Sequence, residues 1–113
     1  MKNKIISLIH QCGIPHHLYG YAYLVDAIEM CASDPEYIHT ITKRLYPDIA
    51  EKHNTTSTGV ERAIRHAVET AFENPMNSVL HTIFGNTLGS KSKPTNGHFI
   101  AALTEVITRK ENI

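Results

Sequence analysis

Arg62 and Arg65 stand three residues apart on a segment with helically spaced apolar positions, and Glu61 and His66 lie beside them. These side chains suit the edges of base pairs. An arginine guanidinium donates two parallel hydrogen bonds that match guanine O6 and N7, and a carboxylate accepts from cytosine N4. Glu61 and Arg62 lie near the start of the predicted helix, where base-reading residues of a recognition helix usually sit. Thr55, Thr56, Ser57 and Thr58 come just before. One of their hydroxyls can cap the helix, and a spare one can hold a phosphate at its N-terminus. Further along, Lys91 and Lys93, with Thr95 and Asn96, form a polar loop suited to clamping phosphates. Thr95 or Asn96 also suits the cap of the helix that follows.

An Arg–Glu helix face alone is usually solvated surface, so its neighbours must decide. Val60, Ala63, Ile64, Ala67, Val68, Ala71 and Phe72 form one continuous stripe on the inner side, leaving Glu61, Arg62, Arg65, His66 and Glu69 outside. Residues 45–52 read as a shorter helix, and Asn54-Thr55-Thr56 separates the two. A short helix, a tight turn and an arginine-bearing helix form the layout of a helix-turn-helix DNA reader.

Helical periodicity continues through the chain, with no two-residue alternation. Ile5, Leu8, Ile9 and Cys12 form a first stripe, ended by Gly13 and Pro15; Tyr21, Leu24, Val25, Ile28, Cys31 and Ala32 form a second. Ile38, Ile41, Leu45 and Ile49 form the third, which Pro47 either kinks or splits. The fourth helix runs from about Ser57 to Glu73. Val79, Leu80, Ile83 and Phe84 make a short fifth ending at Gly85, and Phe99, Ile100, Leu103, Val106 and Ile107 make the last. The expectation is an all-α, compact six-helix domain spanning residues 1–113, containing a helix-turn-helix and no internal repeat.

The 113 residues suffice for one hydrophobic core. No apolar run approaches a membrane span and the first residues do not read as a signal peptide, so a cytoplasmic protein is expected. Formal net charge is zero, whereas most DNA-binding domains are basic. Distribution tempers this: Asp26, Glu29, Asp34 and Glu36 cluster away from the suspected turn, and Lys43, Arg44, Lys52, Arg62 and Arg65 cluster near it. Cys12 and Cys31 continue apolar stripes and read as two buried thiols. The eight histidines, among them the adjacent pair His16-His17, show neither HxxxH nor HExxH spacing, so no metal or cofactor is expected. With no GxSxG, glycine-rich phosphate loop or evident carboxylate pair, enzymatic activity is not expected either.

Three segments carry a resemblance. They are Ile41-Thr42-Lys43-Arg44-Leu45-Tyr46-Pro47-Asp48-Ile49-Ala50, Val60-Glu61-Arg62-Ala63-Ile64-Arg65-His66-Ala67, and Lys93-Pro94-Thr95-Asn96 followed by Phe99-Ile100-Ala101. Together with Gly13-Ile14-Pro15 and the Gly20-Tyr21-x-Tyr23-Leu24 segment, they closely resemble the C-terminal effector domain of the stage 0 sporulation protein A family. The resemblance covers essentially the whole chain. It implies a six-helix domain that binds a short DNA box, often as head-to-tail tandem copies, and that touches an RNA polymerase sigma factor. In that family a receiver domain precedes the effector domain and controls it by phosphorylation. No receiver domain is expected here, which leaves an excised domain and a stand-alone relative both open. By position, Glu61, Arg62, Arg65 and His66 match DNA-facing residues, and Lys93 with its neighbours matches a backbone-contacting region.

One departure matters. The family usually carries a base-reading arginine just before the Val-Glu-Arg-Ala run, and here that residue is Gly59. Losing one bidentate guanine contact costs roughly 1–3 kcal/mol of discrimination, and glycine in a helix adds up to about 1 kcal/mol of cost. The expected function is a sequence-specific DNA-binding transcription regulator of sporulation, contacting DNA through Thr56, Ser57, Thr58, Glu61, Arg62, Arg65, His66, Lys91 and Lys93. The alternative is a protein-interaction module that keeps the fold and modulates sporulation transcription without specific DNA binding.

Overall fold

The computed structural model describes residues 1–85 and 93–111, with side chains to Arg109. Among the described residues every regular element is helical: α1 (Lys2–Gln11), α2 (Tyr19–Ser33), α3 (Glu36–His39), α4 (Tyr46–Lys52), α5 (Ser57–Ala71), α6 (Ser78–Phe84) and α7 (Asn96–Glu111). A π-helical turn, Ile41–Leu45, runs into α4. The all-α expectation holds, but seven α-helices stand among the described residues where six were expected. The third stripe divides at Thr40 (φ −134°, ψ 41°), and not at Pro47, which sits in the first turn of α4. There the proline follows directly on the π-helical turn, at the junction where the helix changes winding. The turn before it is wound wide: the Leu45 N–H reaches the Thr40 carbonyl at 3.1 Å and the Tyr46 N–H reaches that of Ile41. Both bonds span five residues, which eases the clash of the proline ring with the carbonyl four residues back.

The glycine stops behave as expected. Gly13 (φ +84°) and Gly85 (φ +58°) follow the ends of α1 and α6 in backbone conformations that a β-carbon disfavours. α5 begins at Ser57 as expected but ends at Ala71, short of Glu73.

α2 is the central helix, packed against α1, α5 and α7. Leu24, Ala27 and Ile28 meet Ile5, Ile9, Ile64, Phe99, Ile100 and Leu103 in one apolar cluster. Burying each large aliphatic or aromatic side chain contributes roughly 1.5–3 kcal/mol before chain entropy is counted. Cys12 and Cys31 are free and buried in this cluster. Burial pushes their thiols up, to about 12 for Cys12 and about 11 for Cys31, where the Asp34 charge adds to burial. They remain neutral, packed groups near pH 7.

Two contacts fix α5 and the end of α4 before it in place. At Gly20 the backbone of α2 lies directly on that of α5: a β-carbon there would sit 2.2 Å from the Ala63 carbonyl oxygen and 2.8 Å from the Ala67 β-carbon. Only glycine permits this approach. One turn and a half along α2, Asp26 is 5% exposed in a run otherwise apolar from Leu24 to Ile28. Its carboxylate accepts from Lys52 Nζ at 2.8 Å and from His53 Nε2 at 2.5 Å. The Tyr23 ring packs edge-on against the His53 ring at 5.0 Å. The acidic cluster was expected to lie away from the turn; Asp26 corrects that, because it braces the end of α4 and the first residue of the turn. A carboxylate amid buried aliphatics must find hydrogen-bond donors, and the nearest are Lys52 and His53. Burial pushes the Asp26 carboxyl up, but the hydrogen bonds from His53 and Lys52, and then their charges, outweigh it. The net effect holds Asp26 below the ordinary carboxylate value.

Two outcomes follow from this packing. Gly20→Ala forces α2 away from α5 and lowers stability by about 1–3 kcal/mol, measured by thermal or urea unfolding; an unchanged midpoint would mean that the helices separate at no cost. Asp26→Asn removes two charge-assisted hydrogen bonds, a loss of about 1.5–3 kcal/mol near neutral pH. Because the folded-state pKa of Asp26 is depressed, its contribution is complete above the unfolded value of about 3.9. It is lost as pH falls through the lower folded value. The stability gap between wild type and Asp26→Asn therefore narrows in acid, and a gap that is constant between neutral pH and strong acid would contradict the role of the ionised carboxylate.

Candidate nucleic-acid interface

The turn between α4 and α5 is held by its own backbone. The Thr55 N–H bonds the Ala50 carbonyl at 2.9 Å, and Asn54 takes the left-handed conformation (φ 53°) that asparagine tolerates better than most residues. Thr56 follows in extended conformation and caps α5, its Oγ1 accepting from the Gly59 N–H at 3.0 Å. Of the four candidate hydroxyls, Thr56 is thus the cap. Thr58 is exposed and Ser57 half-buried, both in the first turn of α5.

The inner side of α5 is shut into the core through Val60, Ile64, Ala67, Val68 and Ala71. Its outer side presents Thr58, Arg62, Arg65, His66 and Glu69 as one exposed stripe. Arg62 forms no ion pair among the described residues. Arg65 Nη1 lies 3.2 Å from Glu61 Oε1, with the side chains 56% and 35% exposed. A solvated pair of this type contributes roughly 0.3–0.5 kcal/mol, so an incoming phosphate or guanine can draw Arg65 away at small cost. Glu61 and Arg62, expected as neighbours on one face, diverge: Glu61 is half-buried and leans on Arg65, while Arg62 is exposed.

The start of α7 is stitched to this helix. Thr95 Oγ1 accepts from the His98 N–H at 3.1 Å and so caps α7. Asn96 leaves the cap to Thr95: its side-chain amide donates to the Glu61 carbonyl at 3.0 Å and to the Tyr46 hydroxyl at 3.2 Å. Asn96 is thus a tether between α7, α5 and α4. Sequence reasoning missed the tether because its partners lie 35 and 50 residues away. Lys93 is exposed beside it, without an ion pair among the described residues. Between Lys93, the π-helical turn and the outer side of α5 runs a groove of about 570 Å³, with Arg65 and Tyr46 in its wall. Lys91 lies outside the described residues.

The other expected cations are largely engaged. Lys52 is bound to Asp26, and Arg44 lies 3.6 Å from Asp34 and 4.4 Å above the Tyr37 ring. Lys43, Arg62 and Lys93 remain without an ion pair among the described residues. Gly59 occupies the third position of α5 with ordinary helical geometry. A β-carbon there would meet Thr55 Oγ1 and Thr56 Oγ1 at 3.1 Å each, so a longer side chain requires both hydroxyls to give by a few tenths of an ångström. Among the described residues no group of three or more His, Cys, Asp or Glu side chains is placed to hold a metal ion. No helix among them is long and apolar enough to cross a membrane.

The surface so assembled is a capped helix with an exposed Thr–Arg–Arg–His stripe, flanked by a lysine at the entry to the last helix. The sequence pattern of one family, described as the sporulation initiation factor Spo0A C-terminal domain, matches residues 5–107. Among the described residues that match runs from the first buried residue of α1 to the last buried one of α7, so it takes in their core as well as the stripe. The chain belongs to the Spo0A C-terminal family of DNA-binding sporulation regulators.

Proposed function

We propose that this chain is a sequence-specific DNA-binding transcription regulator of sporulation, with α4, the turn and α5 acting as a helix-turn-helix that sets α5 in the major groove. The observation that carries this reading is the exposed stripe on α5, whose opposite side is locked in the core, so its arginines project in a fixed direction. Arg62, near the helix start and unpaired among the described residues, is the principal base reader, with its guanidinium matched to guanine. Arg65 and His66 lie one turn further along. Glu61 orients Arg65 until DNA arrives, then becomes available to accept from cytosine. Thr56, Ser57 and Thr58 place hydroxyls and backbone N–H groups at the helix N-terminus for a phosphate. Lys93, with Lys91, takes phosphates of the neighbouring strand. Family resemblance supports tandem self-association on DNA and contact with an RNA polymerase sigma factor, at the chromosome in the cytoplasm.

A second reading has its own observation. Among the described residues Arg44, Lys52 and Arg65 are each paired with a carboxylate, on a chain of zero net charge. A protein-interaction module that keeps the fold and modulates sporulation transcription without reading the box would look similar.

Duplex binding across a salt series separates the two. The DNA reading predicts tighter binding to a duplex carrying the family's box than to a scrambled one; negligible affinity for both at low salt leaves the interaction module. Arg62→Ala lowers the preference for the box by roughly 1–3 kcal/mol. Lys93→Ala weakens all duplexes alike and reduces the salt slope by about 1. The reverse pattern would overturn these roles. Gly59→Arg tests the missing reader: box affinity rises if the added guanidinium reaches a base, whereas a fall shows that crowding of Thr55 and Thr56 dominates.

A further inference from the structure

Tyr19 is 79% exposed, unusual for a large side chain of apolar character. It opens α2, and its place is set by the next residue, because Gly20 lies against the Ala63 backbone. Tyr19 is thereby held beside the first turn of α5. Its ring stacks on that of Tyr23, with centroids 6.5 Å apart and planes 20° from parallel, and the His53 ring packs on the Tyr23 ring in turn. The phenol therefore rests on a braced platform and loses little rotational freedom on binding. Its hydroxyl has no partner among the described residues. Between Tyr19 and the helix is an open depression of about 400 Å³, bounded by Asn54, Thr55 and Gly59. Glycine at 59 leaves that space unfilled, so a strand can approach both the helix N-terminus and the phenol.

We propose that Tyr19 is a further DNA contact, its hydroxyl donating to a backbone phosphate at the edge of the groove that α5 enters. This rests on reading α5 as the recognition helix. A contact there lies on the side of α5 remote from Lys93, so the helix is gripped from both flanks: by a cation on one and by a neutral donor on the other. Neutral donors fix a protein's register on the duplex without releasing counterions, which suits a chain of zero net charge whose Arg44, Lys52 and Arg65 are already paired with carboxylates.

The test is fluorescence anisotropy of wild type, Tyr19→Phe and Arg62→Ala with the box and scrambled duplexes, across a salt series. Tyr19 buries little, and Tyr19→Phe keeps the stacked ring, so folding is retained and is checked by thermal melting. Tyr19→Phe is expected to weaken both duplexes by roughly threefold to tenfold, with the salt slope unchanged because no charge is lost. Wild-type affinity in Tyr19→Phe, with Arg62→Ala still losing its preference, overturns the Tyr19 contact and leaves the role of α5 standing. Loss confined to the box overturns it as a phosphate contact, since phosphates carry no sequence. If wild type binds neither duplex, the Tyr19 contact and the α5 reading fall together.

Discussion

The crossing of α2 and α5 at Gly20 and Ala63 is the constraint on which the rest of the arrangement depends. With no β-carbon between them the two backbones touch, and the inner stripe of α5 reaches the central helix without a gap. Everything proposed to face DNA takes its direction from this contact. The outer stripe of α5 points away from α2 because the inner one is buried against it, and Tyr19 stands beside the first turn because Gly20 is fixed there. Asp26 completes the brace from beneath. Its carboxylate ties Lys52 and His53 to α2, so the turn is anchored at one end by an ionic contact and at the other by the Thr56 cap.

The electrostatic character of the proposed interface differs from that of a strongly basic DNA-binding domain. Several cations serve the fold instead: Lys52 secures the turn, and Arg44 lies over Tyr37 and near Asp34 at the junction of α3 with the π-helical turn. Arg65 is poised by Glu61 and weakly held. On this account affinity depends on few charge contacts supported by neutral donors, and the response to salt should be shallow for a protein of its class.

Much of the fold is visible in the sequence because it depends on local periodicity. The stripes of α1, α2, α5 and α7, the stops at Gly13 and Gly85, and the buried thiols all follow from spacing and residue type. The third stripe was harder. Pro47 drew the break to itself, whereas a wide π turn accommodated the proline and the chain broke at Thr40, a backbone choice that side-chain pattern does not encode. In the candidate site, the exposed arginines of α5 were legible from the same periodicity. The partners of Asp26 and Asn96 were not, since both bonds join residues distant in sequence. Asp26 did leave a signal, a lone carboxylate in a buried run, which indicates that partners are needed without naming them.

The central claim is that α5 lies on DNA along its outer stripe, and amide chemical-shift mapping tests it most directly. With the ¹⁵N-labelled chain titrated by the box duplex, the account predicts the largest shifts along residues 56–66 and at Lys93 and Thr95, with α3 and α6 nearly unmoved. Largest shifts on α6 or around exposed Met76, with residues 56–66 unchanged, would contradict it.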